Sequence, residues 1–260
     1  MILLLFFPFF ALVIALLWMT GVVYLNDFFL PPLQAETFRR VLLVYPHPDD
    51  EVHVAGLVRT LADRGVSITL LTLTEGEKSQ RSGLSSEVLR EVRKQELKKA
   101  TAVLGVTKVI QTNYGDQELQ AKYVEVKRGI AQVMEEERPD VVITHDLSGL
   151  YGHPDHIMCS HIVTELLEST YQGIPLFYNT YPKRVLCRFP LTEELRKRQA
   201  SPTLRLFIGL QLCAKMKALY TYKSQLGSFR RGLPIFIPLW LAYSMFLCEY
   251  YHAATTSTAR

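Results

Sequence analysis

Residues 41–51 have the sequence VLLVYPHPDDE, in which an apolar run leads directly into a turn rich in potential metal ligands. The apolar residues predict a buried strand, and the turn after it carries His47, Asp49 and Asp50. A second turn of similar composition, GHPDH, follows at residues 152–156. Imidazole nitrogens and carboxylate oxygens are together the donors that divalent metals such as zinc prefer. The pattern therefore predicts that the two turns are halves of a single metal site.

Strand-like and helix-like segments alternate along the chain around these turns. Strands are predicted at residues 41–45, 67–74, 108–112, 141–144 and 176–180, and helices at residues 52–64, 89–104, 124–137 and 157–169. Continuous apolar strands separated by helices imply a mostly parallel sheet covered on both faces. We therefore predict an α/β fold, a Rossmann-like mostly parallel sheet with helices on both faces. In such sheets ligands bind beyond the carboxyl ends of the strands, and the two turns follow the first and the fourth strand.

The N-terminus has a different character, because residues 1–26 carry no charged side chain. Its apolar run is long enough to cross a bilayer of about 30 Å as a helix, and Trp18 lies towards the far end, where an interfacial aromatic is expected. A cleaved signal peptide is the alternative, but no Lys or Arg precedes the run. We interpret the segment as an uncleaved single-pass transmembrane anchor. Arg39 and Arg40 follow it, so the positive-inside rule predicts that the main domain lies in the cytoplasm.

A second apolar stretch covers residues 233–248 and contains two prolines. It is short for a spanning helix, and two interpretations are open: a membrane-surface element, or a helix or hairpin packed on the core. The predicted organisation is an anchor at residues 1–26, a catalytic domain at residues 39–226 and a C-terminal apolar segment at residues 227–260, for which membrane association is one of the two interpretations. Residues 183–203 are expected to form an exposed connection with one short helix.

Composition excludes several classes of protein. The chain has 260 residues, 21% of them charged, and a net charge of +4. These values argue against disorder and against a strongly basic surface for nucleic acid, so no nucleic-acid partner is expected. The four cysteines are scattered and form no C-x-x-C pair, which favours buried thiols in a reducing compartment over disulfides or a thiolate zinc site. Nothing in the sequence determines the oligomeric state.

His47, Asp50 and His156 are the candidate metal ligands. His47 and Asp50 are three residues apart at a strand-to-helix turn, so both can point to one side above the sheet. With His156 they form a set of two imidazoles and one carboxylate. Such a set leaves coordination positions open for water and substrate, which distinguishes a catalytic metal from a structural one.

The remaining polar residues of the two turns are candidates for catalysis. Water bound to a metal loses its proton near neutral pH, and Asp49 is the candidate base that accepts the proton. His153 is a candidate for stabilising an oxyanion or protonating a leaving amine. Tyr151 is a candidate hydrogen-bond donor to the oxyanion, and Asp155 is a candidate for orienting one of the histidines.

Each turn on its own has a simpler explanation. An isolated HPDD sequence is typical of a capped helix start, and an isolated HPDH sequence is typical of a solvated turn. Both turns together, at the ends of strands in one α/β pattern, favour a shared site. The other four histidines are interpreted as structural or exposed: His53, His145, His161 and His252.

The two turns resemble the motifs of the PIG-L/LmbE-like metal-dependent de-N-acetylases. That family includes N-acetylglucosaminyl-phosphatidylinositol deacetylase and bacterial deacetylases of the mycothiol and bacillithiol pathways. The resemblance spans about residues 39–225 and is most specific at the two turns. It extends to Arg93 and Glu96 on a predicted helix, to Asp116 after the third strand, and to the Ser-Gln pair at residues 224–225.

The resemblance implies zinc, or another divalent metal such as Fe2+, bound by His47, Asp50 and His156. It also implies that Asp49 is the general base. Pro46 stands where the family usually has Ala, a departure that removes no ligand.

The same resemblance implies roles for residues outside the ligand set. Arg93 and Asp116 are expected to hold the sugar. Tyr151 and His153 are expected to act on the carbonyl oxygen or the leaving amine. His53 departs from the family, which commonly has small residues after the first turn.

These observations predict a membrane-anchored zinc hydrolase that removes the acetyl group from an N-acetylated amino sugar. Because of the anchor, the expected substrate is a lipid-linked or membrane-near GlcNAc conjugate. One alternative is a non-catalytic membrane-anchored sugar-binding module. Another is an Fe(II) oxygenase with two histidines and one carboxylate, although that motif normally occurs in an all-β fold.

Overall fold

The computed structural model describes residues 2–79, 83–230, 233 and 237–254, with the backbone alone described for residues 2–8 and 10. Within these residues the strands form one sheet with the order β3-β2-β1-β4-β5-β7-β6. The strands are β1 (Arg40–Tyr45), β2 (Ser67–Thr72), β3 (Lys108–Gln111), β4 (Val141–His145), β5 (Leu176–Thr180), β6 (Leu204–Phe207) and β7 (Cys248–Ala254).

Helices connect the strands. They are α1 (Ile2–Leu25), α2 (Ala55–Asp63), α3 (Ser86–Leu104), α4 (Tyr123–Glu137), α5 (Gly149–Gly152), α6 (Pro154–Ser169), α7 (Lys183–Leu186), α8 (Glu193–Arg198), α9 (Leu212–Thr221), α10 (Leu226–Phe229) and α11 (Leu239–Ser244). A 3-10 helix, Asp50–Val54, precedes α2, so the helix predicted at residues 52–64 begins as a tighter turn. Gly105 ends α3 in the left-handed conformation with φ 79°, directly after the last residue of the predicted helix 89–104.

The first five strands are parallel, which confirms the predicted α/β fold with a mostly parallel sheet. β1 lies between β2 and β4, and Leu42 pairs with Thr69 on one side and with Val142 on the other. From β1 the chain winds first towards β3 and then, from β4 onward, in the opposite direction. A crevice forms at the carboxyl ends of two strands where the order reverses in this way. The loops after β1 and β4 therefore meet.

Apolar side chains fill both faces of the sheet. One cluster includes Leu43, Leu57 and Leu97 and packs beneath α2, α3 and α9. The cluster on the other face includes Val44 and Ile162 and packs beneath α4 and α6. Residues 43 and 44 point to opposite faces because side chains alternate along a strand. Burial of each such side chain contributes about 1.5–3 kcal/mol relative to exposure, so β1 is anchored from both sides.

The sheet continues with two antiparallel strands that the sequence analysis did not predict. β7 lies between β5 and β6 and pairs antiparallel with both. Glu249 on β7 accepts hydrogen bonds from the backbone N–H groups of Gly56 and Leu57, at 2.8 and 2.9 Å. Its carboxylate is also 2.7 Å from the ammonium of Lys215 on α9. β7 thus fixes the start of α2. Residues 183–203, predicted to hold one short helix, hold two, α7 and α8.

The second apolar stretch, residues 233–248, is only partly described. Its described part contains α11, in which Leu239 and Ala242 are buried, and it ends at the first residue of β7. These elements pack on the core, which agrees with the interpretation of this stretch as a helix or hairpin packed on the core. Residues 234–236 lie outside the described part of the chain.

The end of α1 packs on the domain through polar groups. Trp18 Nε1 donates a hydrogen bond to Ser244 Oγ at 3.0 Å. Asn26 Nδ2 donates to the carbonyl oxygen of Met245 at 2.7 Å. Within the described part of the chain, no helix has both the length and the apolar character needed to cross a membrane. The prediction that residues 1–26 form a single-pass membrane anchor is therefore wrong. The far end of this apolar helix contacts protein groups instead.

Candidate metal centre

Hydrogen bonds hold the first turn in a single shape. Asp49 adopts a left-handed conformation with φ 102°, between the end of β1 and the 3-10 helix. Such a backbone costs about 1–3 kcal/mol at a residue other than glycine and is typical of functional sites. Asp50 Oδ2 accepts a hydrogen bond from the backbone N–H of His47 at 2.9 Å. Because this bond closes the turn, the side chains of His47 and Asp50 enter the same crevice.

His156 enters the crevice from the first turn of α6. His153 is the N-cap of this helix, its Nδ1 accepts a hydrogen bond from the backbone N–H of Asp155 at 3.3 Å, and Pro154 is the first helical residue. Upstream, Gly149 has φ 65°, and a Cβ at this position would lie 3.0 Å from the Cβ of His156. Glycine therefore lets the loop approach the helix closely.

The three predicted ligands converge. His47 Nδ1 lies 3.3 Å from His156 Nε2 and 3.5 Å from Asp50 Oδ2. Asp50 Oδ1 lies 3.3 Å from His156 Nε2. In tetrahedral zinc sites, bonds of about 2.0–2.1 Å separate neighbouring donor atoms by about 3.3 Å. The two imidazole nitrogens lie at this spacing, and each contacts a different oxygen of the Asp50 carboxylate, so the three side chains face one another as candidate ligands of a divalent ion.

The protonation states of the two deepest side chains also fit an ion. Burial raises the pKa of Asp50, but His156, His145 and His47 outweigh it and hold that pKa well below its usual value. Burial lowers the pKa of His156 well below its usual value, although Asp50 opposes this effect. An ionised carboxylate and a neutral imidazole are the forms that bind metals.

Two carboxylates hold the other edge of the His47 ring. His47 Nε2 lies 3.1 Å from Asp155 Oδ2 and 3.2 Å from Asp116 Oδ1. A proton on Nε2 that is shared with these carboxylates leaves the lone pair of Nδ1 directed into the crevice. Metal-binding histidines are commonly oriented in this way. The contact is the one expected if Asp155 orients a histidine.

Asp49 is held by an arginine. Its Oδ1 lies 3.0 Å from Arg93 Nη2, and the guanidinium also donates hydrogen bonds to the carbonyl oxygens of Gly76 and Pro48. Burial raises the pKa of Asp49 to about 7, although Arg93 opposes the shift. The carboxylate is therefore fixed at the edge of the crevice, beside Asp50.

Arg93 and Asp116, for which a sugar contact is predicted, lie at the site but face protein groups. They are 3% and 4% exposed. Arg93 contacts Asp49, and Asp116 contacts His47 and accepts a hydrogen bond from the backbone N–H of Lys78 at 3.0 Å. Both side chains therefore support the candidate catalytic residues. Their binding of sugar stays a prediction.

Tyr151 and His153 line the open side of the crevice. Tyr151 is 37% exposed, and its hydroxyl lies 3.5 Å from His156 Nε2. His153 is half-buried, and its ring centroid lies 4.9 Å from that of His47.

A second layer of contacts braces the first turn. Glu51 Oε2 accepts a hydrogen bond from the backbone N–H of Asp49 at 3.1 Å, and Glu51 Oε1 accepts one from the hydroxyl of Tyr222 at 2.5 Å. Glu96 on α3 accepts hydrogen bonds from the N–H and the hydroxyl of Ser224, at 2.9 and 2.6 Å. The segment around Ser224, which carries part of the family resemblance, thus ties α3 to the end of α9.

His145 is the residue at this site that the sequence analysis missed. It was interpreted as structural or exposed, yet it is fully buried, and its Nε2 lies 3.3 Å from Asp50 Oδ1. A signal was available, because His145 is the last residue of β4 and so lies at the same sheet edge as both turns. By contrast, His53 Nδ1 contacts the hydroxyl of Tyr181 at 2.8 Å, away from the three ligands.

Comparison with known proteins identifies the family. Residues 42–167 match the family described as PIG-L: GlcNAc-PI de-N-acetylase. A relative from Thermobifida fusca, 1D-myo-inositol 2-acetamido-2-deoxy-alpha-D-glucopyranoside deacetylase, is 32% identical over 200 residues, with 63% of this chain and 68% of the relative covered. The chain belongs to the PIG-L family. This result confirms the family predicted from the two turns.

A second PIG-L relative comes from Bacillus anthracis and is named probable N-acetyl-alpha-D-glucosaminyl L-malate deacetylase 2. It is 36% identical over 147 residues, with 54% of this chain and 65% of the relative covered. The chain spans about half to two thirds of the length of the first curated relatives it matches.

A solved structure shares the fold. N,N'-diacetylchitobiose deacetylase from Pyrococcus horikoshii matches with a TM-score of 0.65 and 22% sequence identity, over 85% of this chain and 86% of that protein. At this identity the likeness concerns the fold alone. It agrees with the α/β architecture.

Proposed function

We propose that this PIG-L family protein is a metal-dependent hydrolase that removes the acetyl group from an N-acetylated amino sugar of the GlcNAc type. The products are acetate and a free amine. One observation carries the proposal: in the crevice where the strand order reverses, His47 Nδ1 and His156 Nε2 lie 3.3 Å apart, and Asp50 approaches the first through Oδ2 at 3.5 Å and the second through Oδ1 at 3.3 Å. The names of both relatives support the same chemistry, since each is a deacetylase of an N-acetylglucosamine derivative.

Zinc is the proposed cofactor, and His47, Asp50 and His156 would hold it. Two imidazoles and a carboxylate suit zinc, and they also suit Fe2+. A bound ion would supply a Lewis acid that polarises the acetamide carbonyl and lowers the pKa of water. Since the alternating α/β sheet differs from the all-β fold of the oxygenases, we favour hydrolysis over oxygen chemistry.

Asp49 is the proposed general base. Its side chain is 16% exposed, whereas the side chains of His47 and Asp50 are 9% and 5% exposed, so Asp49 lies nearer to entering water. Arg93 holds one carboxylate oxygen of Asp49 and so fixes the direction of the group. A carboxylate held in this way accepts a proton from the attacking water.

Tyr151 and His153 are proposed to act on the acetamide. The Tyr151 hydroxyl lies near His156 at the open side and can donate a hydrogen bond to the carbonyl oxygen as negative charge develops there. The His153 ring, on the same side, is positioned to donate a proton to the leaving amine.

The proposed substrate contains the chemical group that is common to the substrates named for the two relatives. Their names contain an N-acetylglucosaminyl group joined to malate in one case and to inositol in the other. The shared part is the acetylated sugar, and the group joined to it differs. The lipid-linked acceptor expected from the sequence depended on the membrane anchor, and without that anchor the proposal names the sugar alone.

Acetate release tests this function. Purified protein, stripped of metal and reloaded with one equivalent of zinc, is incubated with GlcNAc, GlcNAc-inositol, GlcNAc-malate and a lipid-linked GlcNAc conjugate. We expect stoichiometric acetate and free amine from at least one glycoside, and none from the metal-free protein.

The matched control is the His156→Phe variant, which loses one ligand but keeps a ring of similar size. It should release no acetate in the presence of zinc. Absence of acetate from every conjugate with the zinc-loaded protein would contradict the proposed function, and so would equal rates with and without metal.

A further inference from the structure

His145 lies against the metal centre, where β4 ends. Its Nε2 is 3.3 Å from Asp50 Oδ1, the same distance that separates His156 Nε2 from that oxygen. The rings of His145 and His156 stack, with centroids 4.3 Å apart and 12° between their planes. Two imidazoles therefore face one carboxylate oxygen side by side.

Neither ring nitrogen of His145 has a hydrogen-bond partner among the described residues. The approach to Asp50 is close, but it is not aligned as a hydrogen bond. The other aromatic neighbours of the ring are Tyr45 and His53, with centroids 4.7 and 5.7 Å away. A buried imidazole normally satisfies its N–H and its lone pair. His145 is thus a fully buried side chain with unused donor capacity beside a metal site.

We propose that His145 is a further metal ligand of this centre, an inference that rests on the proposed function. Potential ligand atoms of Asp50, His145 and His156 lie within 4.8 Å of one another. An ion that contacts the Asp50 carboxylate is therefore within reach of both stacked imidazoles. With His47 the centre then offers three imidazoles and one carboxylate.

This donor set has chemical consequences. Three imidazoles favour zinc, cobalt or copper over magnesium and calcium, which prefer oxygen ligands. Zinc sites sometimes expand to five-coordinate, so a centre with four protein ligands would use its fifth position for water. His145 would therefore raise the affinity of the centre for nitrogen-preferring metals without closing it to substrate.

The test counts the imidazoles bound to cobalt. The full chain, labelled with 15N-histidine, is loaded with one equivalent of Co2+, and the hyperfine-shifted imidazole N–H signals are counted by NMR. We expect three metal-bound imidazoles in the wild-type protein and two in the His145→Phe variant. The control variant, His53→Phe, changes a neighbouring ring and should keep three. Cobalt affinity should fall by at least about tenfold in His145→Phe and should not change in His53→Phe.

A second variant and a stability measurement distinguish the loss of a metal ligand from misfolding of the variant. His145→Gln should also show two bound imidazoles. In the metal-free state the Tm of His145→Phe should equal or exceed that of the wild-type protein, because the variant removes an unsatisfied buried polar group. The rise in Tm on adding Co2+ should be smaller in the variant than in the wild-type protein.

Two results would overturn the proposal: two bound imidazoles in the wild-type protein, or an unchanged count in both variants of His145. Failure of the wild-type chain to bind any cobalt would instead contradict the metal centre of the proposed function. The inference and the function therefore fail in different ways.

Discussion

Asp49 combines a left-handed backbone with a half-buried carboxyl group that an arginine holds in place. Replacement by Asn keeps the size of the side chain but removes the proton acceptor. We expect acetate release to fall by about 10²- to 10⁴-fold in Asp49→Asn, while zinc affinity changes little, because the three ligands are retained. Acetate assays and competition with a zinc chelator measure the two quantities.

The control for this variant is Asp63→Asn. Asp63 is an exposed carboxylate at the end of α2, paired with Arg59, and its loss should leave acetate release unchanged. Wild-type rates in Asp49→Asn would remove Asp49 from the mechanism. A pure sugar-binding module would show no turnover in the parent protein either.

Gly76 shows how a residue without a side chain supports the site. It has φ 66°, and a Cβ there would lie 2.3 Å from Arg93 Nη1. We expect Gly76→Ala to displace the guanidinium from Asp49 and lower acetate release by at least about tenfold, with zinc affinity retained. The kcat of the zinc-loaded protein is the measurement.

Gly65→Ala is the matched control for Gly76→Ala. Gly65 has a similar φ of 74°, but a Cβ at this position would have no atom within 4 Å. In both variants an alanine must adopt a left-handed backbone conformation, which costs about 1–2 kcal/mol. Any difference in activity between them therefore reports the clash with Arg93. Equal activities would show that the contact of Arg93 with Asp49 does not matter for turnover.

Sequence reasoning succeeded at the residues whose chemistry is local. His47 and Asp50 belong to one short turn, and their spacing alone indicates a shared direction. His145 and the Arg93–Asp49 pair could not be assigned in this way. Arg93 is 44 positions from Asp49 in the sequence, so their contact depends on how α3 packs. His145 was overlooked because a lone histidine at a strand end is usually structural.

At the scale of elements, β7 and α9 lock the start of α2. Glu249 accepts two backbone N–H groups of α2 and pairs with Lys215, and both side chains are buried. Removal of one partner of a buried ion pair leaves an unpaired charge. We therefore expect Glu249→Ala to lower the free energy of unfolding by about 3–5 kcal/mol, as measured by urea denaturation.

The control for this prediction is Glu193→Ala, which breaks an exposed pair with Lys197. We expect a change below about 0.5 kcal/mol there. The double variant Lys215→Met, Glu249→Ala should recover part of the lost stability, since no buried charge remains unpaired. A loss of equal size at both glutamates would show that the buried network has no special role.

The five parallel strands were predictable because each is a short apolar run followed by a helix with its own period. β6 and β7 were not. Charged residues such as Arg205 and Glu249 interrupt their apolar pattern. Their positions in the sheet depend on the antiparallel pairing of β7 with β5 and of β6 with β7. Such pairing leaves little trace in the local sequence.

At the scale of the whole molecule, a bound ion joins loops that are distant in the chain. An ion that binds the folded state but not the unfolded state stabilises the fold by about 4 kcal/mol when its concentration is a thousand times its Kd. For a chain of this size, that corresponds to a rise in Tm of roughly 10 °C. We expect a chelator to remove this gain from the wild-type protein, as measured by calorimetry.

The His156→Phe variant provides the comparison for the calorimetric test. Its Tm should respond little to zinc or chelator, because one ligand is missing. A wild-type Tm that is independent of metal would indicate that no ion links the two turns.

Composition misled the sequence analysis at one end of the chain. The uncharged residues 1–26 predicted a membrane anchor, because length and hydropathy were the only guides. The contacts of Trp18 with Ser244 and of Asn26 with Met245 connect residues more than 200 positions apart, and no local pattern indicates them. The α/β core, in contrast, follows from apolar periodicity repeated along the chain.

The most direct measurement is a crystal structure of the zinc-loaded protein, with data collected on both sides of the zinc absorption edge. The account predicts a single strong anomalous peak within about 2.0–2.3 Å of donor atoms of His47, Asp50 and His156. A peak elsewhere, or none at full zinc loading, would contradict the claim that the two turns hold one ion.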